Sequence, residues 1–240
     1  MTTKAVLLAA GRGTRLGAIT ANYPKPLLDV GGMPIIARLL SGLARAGIEE
    51  VTIVTGHHAE LLEAEAGNGT EFGLAIRYVR QERLAGTARA IALARDWLGE
   101  ERFFFAWGDI VVRPENYRNV IRASRLADAA IAVNEVDDPW AGGAVYVDAE
   151  GVVTRIVEKP PKGTSTTRWN NAGFGVLGPS IWPGIDRLQP SARGEYELPG
   201  AIAALVESGA RVRAVPVEGP WFDVGTPEDL ERAREAYRRR

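Results

Sequence analysis

In the first half of the chain, short continuous apolar runs alternate with stretches of helical periodicity. Residues 4–9 (Lys-Ala-Val-Leu-Leu-Ala) predict a buried strand, and 103–107 another whose unbroken apolar run suits burial on both faces. Residues 51–55, 74–79 and 129–133 predict further strands. Between them, 34–46 sets Ile36, Leu39, Leu40 and Leu43 on one helical face and stops at Gly47. Residues 59–66, 88–98 and 115–125 read as helices, with Thr87 placed to cap the second of these. This rhythm predicts an α/β fold: a Rossmann-like mixed, mostly parallel sheet with helices on both faces.

After Asn134 the rhythm changes. Residues 143–147, 152–157 and 170–177 are strand-like with no helix between them, which predicts a small antiparallel β insertion beside the main sheet. Residues 198–206 return to helix, aligning Leu198, Ile202 and Leu205 and ending at Gly209. Residues 212–217 form a strand whose Pro216 marks it as an edge. Thr226-Pro227-Glu228-Asp229 opens a last helix, with a capping threonine, Pro at its first position and acids in its first turn. The Arg238, Arg239 and Arg240 end reads as its frayed, solvated terminus.

Composition narrows the classes. The 240 residues are 46% hydrophobic with no linker or low-complexity tract, so one domain over 1–240 is expected. A net charge of −1 disfavours a general nucleic-acid or membrane-surface binder, so any affinity for phosphate must be local. The absence of cysteine excludes disulfides, thiolate metal sites and a cysteine nucleophile, and suits a reducing, cytoplasmic setting. The apolar N-terminal run, about six residues, is too short for a signal-peptide core or a membrane span. Oligomeric state stays open, a homo-oligomer being compatible with the composition.

The chemistry concentrates where the first strand breaks, at Ala10-Gly11-Arg12-Gly13-Thr14-Arg15-Leu16. Glycines let the backbone approach a ligand, and successive bare N–H groups form an anion-binding concavity. Arg12, Arg15 and Lys25 add charge-assisted donors suited to phosphate oxygens. The loop is not a dinucleotide fingerprint, because Leu16 stands where the third glycine would pack, and no Walker motif occurs.

Gly11-Arg-Gly-Thr-Arg15 followed by Pro24-Lys25-Pro-Leu-Leu resembles the signature of sugar-1-phosphate nucleotidyltransferases, and the resemblance extends over nearly the whole chain. It implies transfer of a nucleotidyl group from a nucleoside triphosphate to a sugar 1-phosphate with release of pyrophosphate. Residues 1–134 would then form the nucleotide-binding part and 135–225 the sugar-phosphate-binding part. Such a reaction needs no strong base. It needs two anionic reactants held together and growing charge neutralised, by cations, amides and Mg²⁺ on one or two carboxylates.

On the residues alone, Asp109 suits a turn after strand 103–107 and Asp223 a position ahead of the last helix. The resemblance assigns both to the metal, Arg15 to the triphosphate, and Lys25 to the attacking and α-phosphate oxygens. Gln81 and Gly86-Thr87 resemble the base-binding segment of uridylyl- and thymidylyltransferases. A glutamine amide donates and accepts at once, matching the edge of uracil or thymine. By itself Gln81 also reads as a surface residue beside a helix start. Glu158-Lys159 matches the pair taking the sugar hydroxyls and the sugar's phosphate; the alternative for it is a plain surface ion pair. Asn171 and Gly143 match sugar contacts. Arg193-Gly-Glu-Tyr-Glu197 continues into Leu198-Pro199-Gly200, departing from the Thr-Asp pair common in thymidylyltransferases and leaving the sugar open. UTP or dTTP is the expected donor. A guanylyl- or cytidylyltransferase is the alternative, with a catalytically silent nucleotide-sugar sensor behind it. No left-handed β-helix repeat is seen, so no appended acetyltransferase is expected.

Overall fold

The computed structural model describes residues 2–191 and 193–238. Its strands are β1 (Lys4–Leu8), β2 (Glu50–Thr55), β3 (Ala75–Arg80), β4 (Phe103–Trp107), β5 (Ile110–Val112), β6 (Ala129–Glu135), β7 (Gly143–Val147), β8 (Val153–Glu158), β9 (Trp169–Leu177), β10 (Val212–Pro216) and β11 (Trp221–Asp223). Its helices are α1 (Ile35–Arg45), α2 (Ala59–Ala66), α3 (Thr87–Ala92), α4 (Arg95–Leu98), α5 (Glu115–Ser124), α6 (Trp182–Arg187), α7 (Leu198–Glu207) and α8 (Pro227–Arg238). Arg239 and Arg240 of the expected helix end lie outside the described residues.

The main sheet runs β10-β6-β9-β4-β1-β2-β3. β1 pairs in parallel with β2 and β4, and β6 with β10. The mixed, mostly parallel sheet expected from the alternation is present, and β10 is an edge strand. The later strands distribute differently from the expected insertion. β7 and β8 form an antiparallel hairpin off the main path, but β9 enters the main sheet antiparallel to both β4 and β6. Because β9 runs backwards, its first residues, Asn170 and Asn171, reach the edge where β1, β4 and β6 end.

Alternation along β4 divides the core. Phe104 packs on one face with Tyr117 of α5, ring centroids 5.5 Å apart and edge-on, while Phe103 stacks on Trp182 of α6 on the other face at 5.6 Å. Phe103, Phe104 and Phe105 are fully buried. The predicted helix over 88–98 is divided into α3 and α4 by a turn at Leu93-Ala94. Helix α6 escaped prediction because Pro183 and Gly184 break its apolar pattern. At the start of α8, Thr226 Oγ1 accepts the Asp229 N–H (3.2 Å) and Asp229 Oδ2 accepts the Thr226 N–H (3.1 Å), a reciprocal cap. No helix among the described residues is long and apolar enough to cross a membrane.

Gly175 lies where β9 is sandwiched between β4 and β6, opposite both Phe105 and Ile131. A Cβ there would meet the Ala130 carbonyl oxygen at 2.5 Å and the Phe105 ring at 2.7 Å. Gly175→Ala should therefore destabilise the fold by about 1–3 kcal/mol, the usual cost of overpacking a tight core. A thermal melt superimposing on wild type would contradict this packing.

Candidate active site

Every site residue named from the sequence lines one cavity of about 860 Å³, open along the C-terminal edge of β1 and β4. The sheet order reverses there, since β2 lies on one side of β1 and β4 on the other, a position where α/β sheets bind ligands. The chain leaves β1 through Ala9 and Ala10 into the loop. Among the described residues, none accepts a hydrogen bond from the backbone N–H groups of Gly11, Arg12 or Gly13. The loop is pinned from its far side. The Gly13 carbonyl accepts the Leu16 N–H (2.9 Å) and the Thr20 hydroxyl (2.9 Å), and Leu16 is buried. Thr14 and Arg15 are left exposed at the rim. Neither Arg12 nor Arg15 has a carboxylate within 4 Å among the described residues, so their charges are offered to the cavity. Gly225 makes room for Arg15, since a Cβ there would sit 3.1 Å from its guanidinium.

The two aspartates meet through the smallest sheet in the molecule. β4 ends in Gly108-Asp109 and the chain enters β5 at once. β11 pairs antiparallel with β5 in a register that sets Asp223 opposite Ile110, and the Val224 N–H donates to the Asp109 carbonyl at 3.1 Å. Both three-residue strands are too short to be seen in a hydrophobic pattern. Lys25, buried in a 3-10 turn (Lys25–Leu27), brings Nζ to 2.6 Å from Asp109 Oδ2 and 3.7 Å from Asp223 Oδ1. Burial and the neighbouring Asp109 push the Asp223 carboxyl up to about 6, against the opposing pull of Lys25 and Arg15. Asp109 Oδ1 and Asp223 Oδ1 are buried without a hydrogen-bond partner.

Adjacent carboxylate oxygens lacking donors are what a hard cation uses as ligands. No cluster of three or more metal-ligating side chains occurs among the described residues, so this pair fits an ion completing its shell with water and phosphate oxygens, as Mg²⁺ does.

At the end of β3, Gln81 is held by its N–H to the Thr55 carbonyl (2.8 Å) and donates from Nε2 to the Gly86 carbonyl (3.3 Å). Thr87 departs from expectation. It is the first residue of α3, and its side chain makes no cap to that helix. Its hydroxyl instead accepts the N–H of Leu198, the first residue of α7, at 2.8 Å. His58, at the N-cap position just before α2, makes no side-chain cap either, and bonds the Ala21 carbonyl through Nε2 at 3.1 Å.

The opposite wall comes from the hairpin and β9. The β7–β8 register sets Gly143 against Glu158, and a Cβ on Gly143 would lie 3.3 Å from Glu158 Oε2 and 3.4 Å from Asn171 Cβ. Asn171 Oδ1 accepts the Gly173 N–H (3.0 Å), leaving its Nδ2 buried without a partner. Burial, then the nearby Glu197, raise the Glu158 carboxyl above the ordinary carboxylate range. Lys159 stands in the left-handed region at φ 45, its N–H donating to the Gly142 carbonyl (2.8 Å), and no carboxylate among the described residues lies within 4 Å of its Nζ. Glu158 and Lys159 are thus not a surface ion pair.

Several cavity residues were given no site role from the sequence: Trp107, Asp138, Asn170, Trp221, and Arg193 and Glu197 of the segment noted there. The tryptophans had a signal, each standing two residues before an aspartate, in Trp107-Gly-Asp109 and Trp221-Phe-Asp223. Trp221 Nε1 donates to the Ala172 carbonyl (2.9 Å), tying β11 to β9.

A cleft of bare amides, unpaired arginines and twinned carboxylates lies at the switch point of this α/β sheet, a combination whose chemistry suits phosphate. The chain belongs to the nucleotidyl transferase family, whose model matches residues 4–240. It is 35% identical over 235 residues to the low-salt glycan biosynthesis nucleotidyltransferase Agl11 of Haloferax volcanii, covering 97% of this chain and 65% of that protein. It is 34% identical over 236 residues to the UTP–glucose-1-phosphate uridylyltransferase AglF of the same organism, covering 97% of this chain and 95% of the relative. The fold matches the UTP-bound UGPase of Acinetobacter baumannii with a TM-score of 0.84 at 26% identity, over 99% of this chain and 93% of that one. The chain spans slightly under two thirds of the length of several curated relatives, 64–65% of each.

The raised carboxyl of Asp223 has a thermodynamic consequence. Between its ordinary value of 3.8 and about 6 the folded protein retains a proton that the unfolded chain has released, so this group's contribution to stability is lost as pH rises through that window. In chelator-treated protein, Asp223→Asn should melt above wild type at pH 7, with the gain shrinking toward pH 4. An equal gain at both pH values would contradict the assignment.

Proposed function

We propose that this chain transfers a nucleotidyl group from UTP or dTTP to a sugar 1-phosphate, releasing pyrophosphate and forming a nucleoside diphosphate sugar. The observation that carries this reading is convergence. The cationic β1 loop, both aspartates and Lys25 share one end of a cavity whose other wall holds Glu158, Lys159 and Asn171.

The reaction is an in-line substitution at the α-phosphorus. An oxygen of the sugar phosphate forms the new P–O bond as the bond to the β-phosphate oxygen breaks. The attacking group is already an anion, so positioning and charge neutralisation supply the catalysis. The free amides of Gly11, Arg12 and Gly13 and the guanidinium of Arg15 suit the triphosphate chain, with Ala10 and Thr14 lining its path. Lys25 suits the attacking and α-phosphate oxygens. Asp109 and Asp223 would hold Mg²⁺, which when bound supplies positive charge to the triphosphate. Gln81, with Gly86, suits the alternating edge of uracil or thymine. Lys159 suits the sugar's phosphate, and Glu158, Asn171 and the bare backbone of Gly143 suit its hydroxyls. Residues 1–134 then serve mainly the nucleotide and 135–225 the sugar phosphate.

A panel of four nucleoside triphosphates against several sugar 1-phosphates, read by mass spectrometry of the product, tests the reading. Formation of UDP- or dTDP-sugar is expected, and no product from any pair overturns it. Arg15→Ala should lower kcat/KM by roughly 10²–10³, the scale of removing one transition-state donor, with an unchanged melt because the side chain is exposed. Lys159→Ala should raise KM for the sugar phosphate about tenfold or more, as expected for a lost charge-assisted contact. Pyrophosphate-release kinetics at wild-type values for either variant would remove that residue from the mechanism.

A further inference from the structure

The loop bearing Gly86 and Thr87 and the segment bearing Glu197 are far apart in the chain, yet they are laced together. The Tyr196 N–H donates to the Ala85 carbonyl at 2.8 Å, and the Ala88 N–H donates to the Tyr196 carbonyl at 2.9 Å. The third rung is the Leu198 N–H on Thr87 Oγ1, at 2.8 Å. Gly86 permits the approach. It stands at φ +97, and a Cβ on it would lie 2.5 Å from the Tyr196 carbonyl oxygen and 2.6 Å from its nitrogen. Arg89 covers the Tyr196 ring at 4.3 Å.

Glu197 lies between the two laced residues. It occupies the N-cap position of α7, but its side chain makes no cap. Its carboxylate is turned to Arg193, and it lies close enough to Glu158 to act on it electrostatically. The hydroxyl that α7 lacks at its own start is supplied by Thr87. Thr87 therefore holds the backbone that aims Glu197, on the wall shared with Glu158 and Pro199.

We propose that Thr87 is a positioning residue for the sugar-phosphate end of the cavity: through the Leu198 N–H it fixes Glu197, so that the base-side loop and the sugar-side wall move as one unit. The inference rests on the transferase reading and departs from the nucleotide-contact role that the sequence resemblance gives Thr87. Its hydroxyl oxygen is engaged by the Leu198 N–H of α7. Whatever orders the Gly86 loop, including a base at Gln81, also orders the wall against which the sugar is read.

Steady-state kinetics of wild type, Thr87→Val and Thr87→Ser with both substrates varied provide the test. Valine keeps the shape and deletes the hydroxyl, so KM for the sugar phosphate should rise about fivefold to tenfold, the scale of one lost hydrogen bond, with kcat and the triphosphate KM within about twofold. Serine keeps the hydroxyl and should restore the sugar-phosphate KM. In a Glu197→Gln background, Thr87→Val should add little, because the group it positions is already altered. A Thr87→Val effect confined to the triphosphate, one equal for both substrates, no effect, a serine variant as impaired as valine, or full additivity with Glu197→Gln would each overturn the inference. Wild-type protein that forms no nucleotide sugar would instead overturn the transferase reading, and the inference with it.

Discussion

Two carboxylates on remote segments can meet at one point only if something holds their backbones in register, and here that task falls to the three-residue pairing of β5 with β11. The ribbon sets Asp223 beside the Asp109 turn, and a slip of one residue would rotate the carboxylate to the opposite face. So short a ribbon has little stability of its own. It is tied at its ends, by the Val224 N–H to the Asp109 carbonyl and by the Trp221 indole to the Ala172 carbonyl, and a short turn then leads into α8 with its reciprocal cap. Lys25 lies between the acids and offsets the repulsion that the pairing creates.

The rest of the cavity follows from strand direction. In a purely parallel sheet only C-terminal strand ends would face the ligand. By entering antiparallel between β4 and β6, β9 brings its N-terminal residues to the same edge, so Asn170 and Asn171 join the ends of β1, β4 and β6. The β7–β8 hairpin pairs on from β9 and adds Gly143, Glu158 and Lys159. The cationic end thus belongs to the parallel half, and the end with the orphaned Asn171 amide to the antiparallel part.

Residues that announce themselves locally were legible in the sequence. The apolar run before Gly11, the alternating glycines and arginines, the Pro24-Lys25-Pro26 turn and the acid after Phe103–Trp107 are each set by neighbours within a few positions. Features decided by distant partners were not. β5 and β11 carry no periodicity in three residues, α6 is masked by Pro183 and Gly184, and the place of β9 is chosen by the strands it fills between rather than by its own pattern. Thr87 shows the limit most plainly. A threonine at a helix start reads as that helix's cap, but its hydroxyl serves a helix that begins at Leu198.

Lys159 illustrates a conflict set within a single residue. Its left-handed backbone suits glycine, and for a side-chain-bearing residue that conformation costs about 1–2 kcal/mol. The hairpin holds it there through the bond to Gly142, and the same twist gives the ammonium its place on the cavity wall. Glycine at position 159 would relieve that strain and take a positive charge off the wall, so backbone ease and the electrostatics of the cavity pull in opposite directions at this one residue.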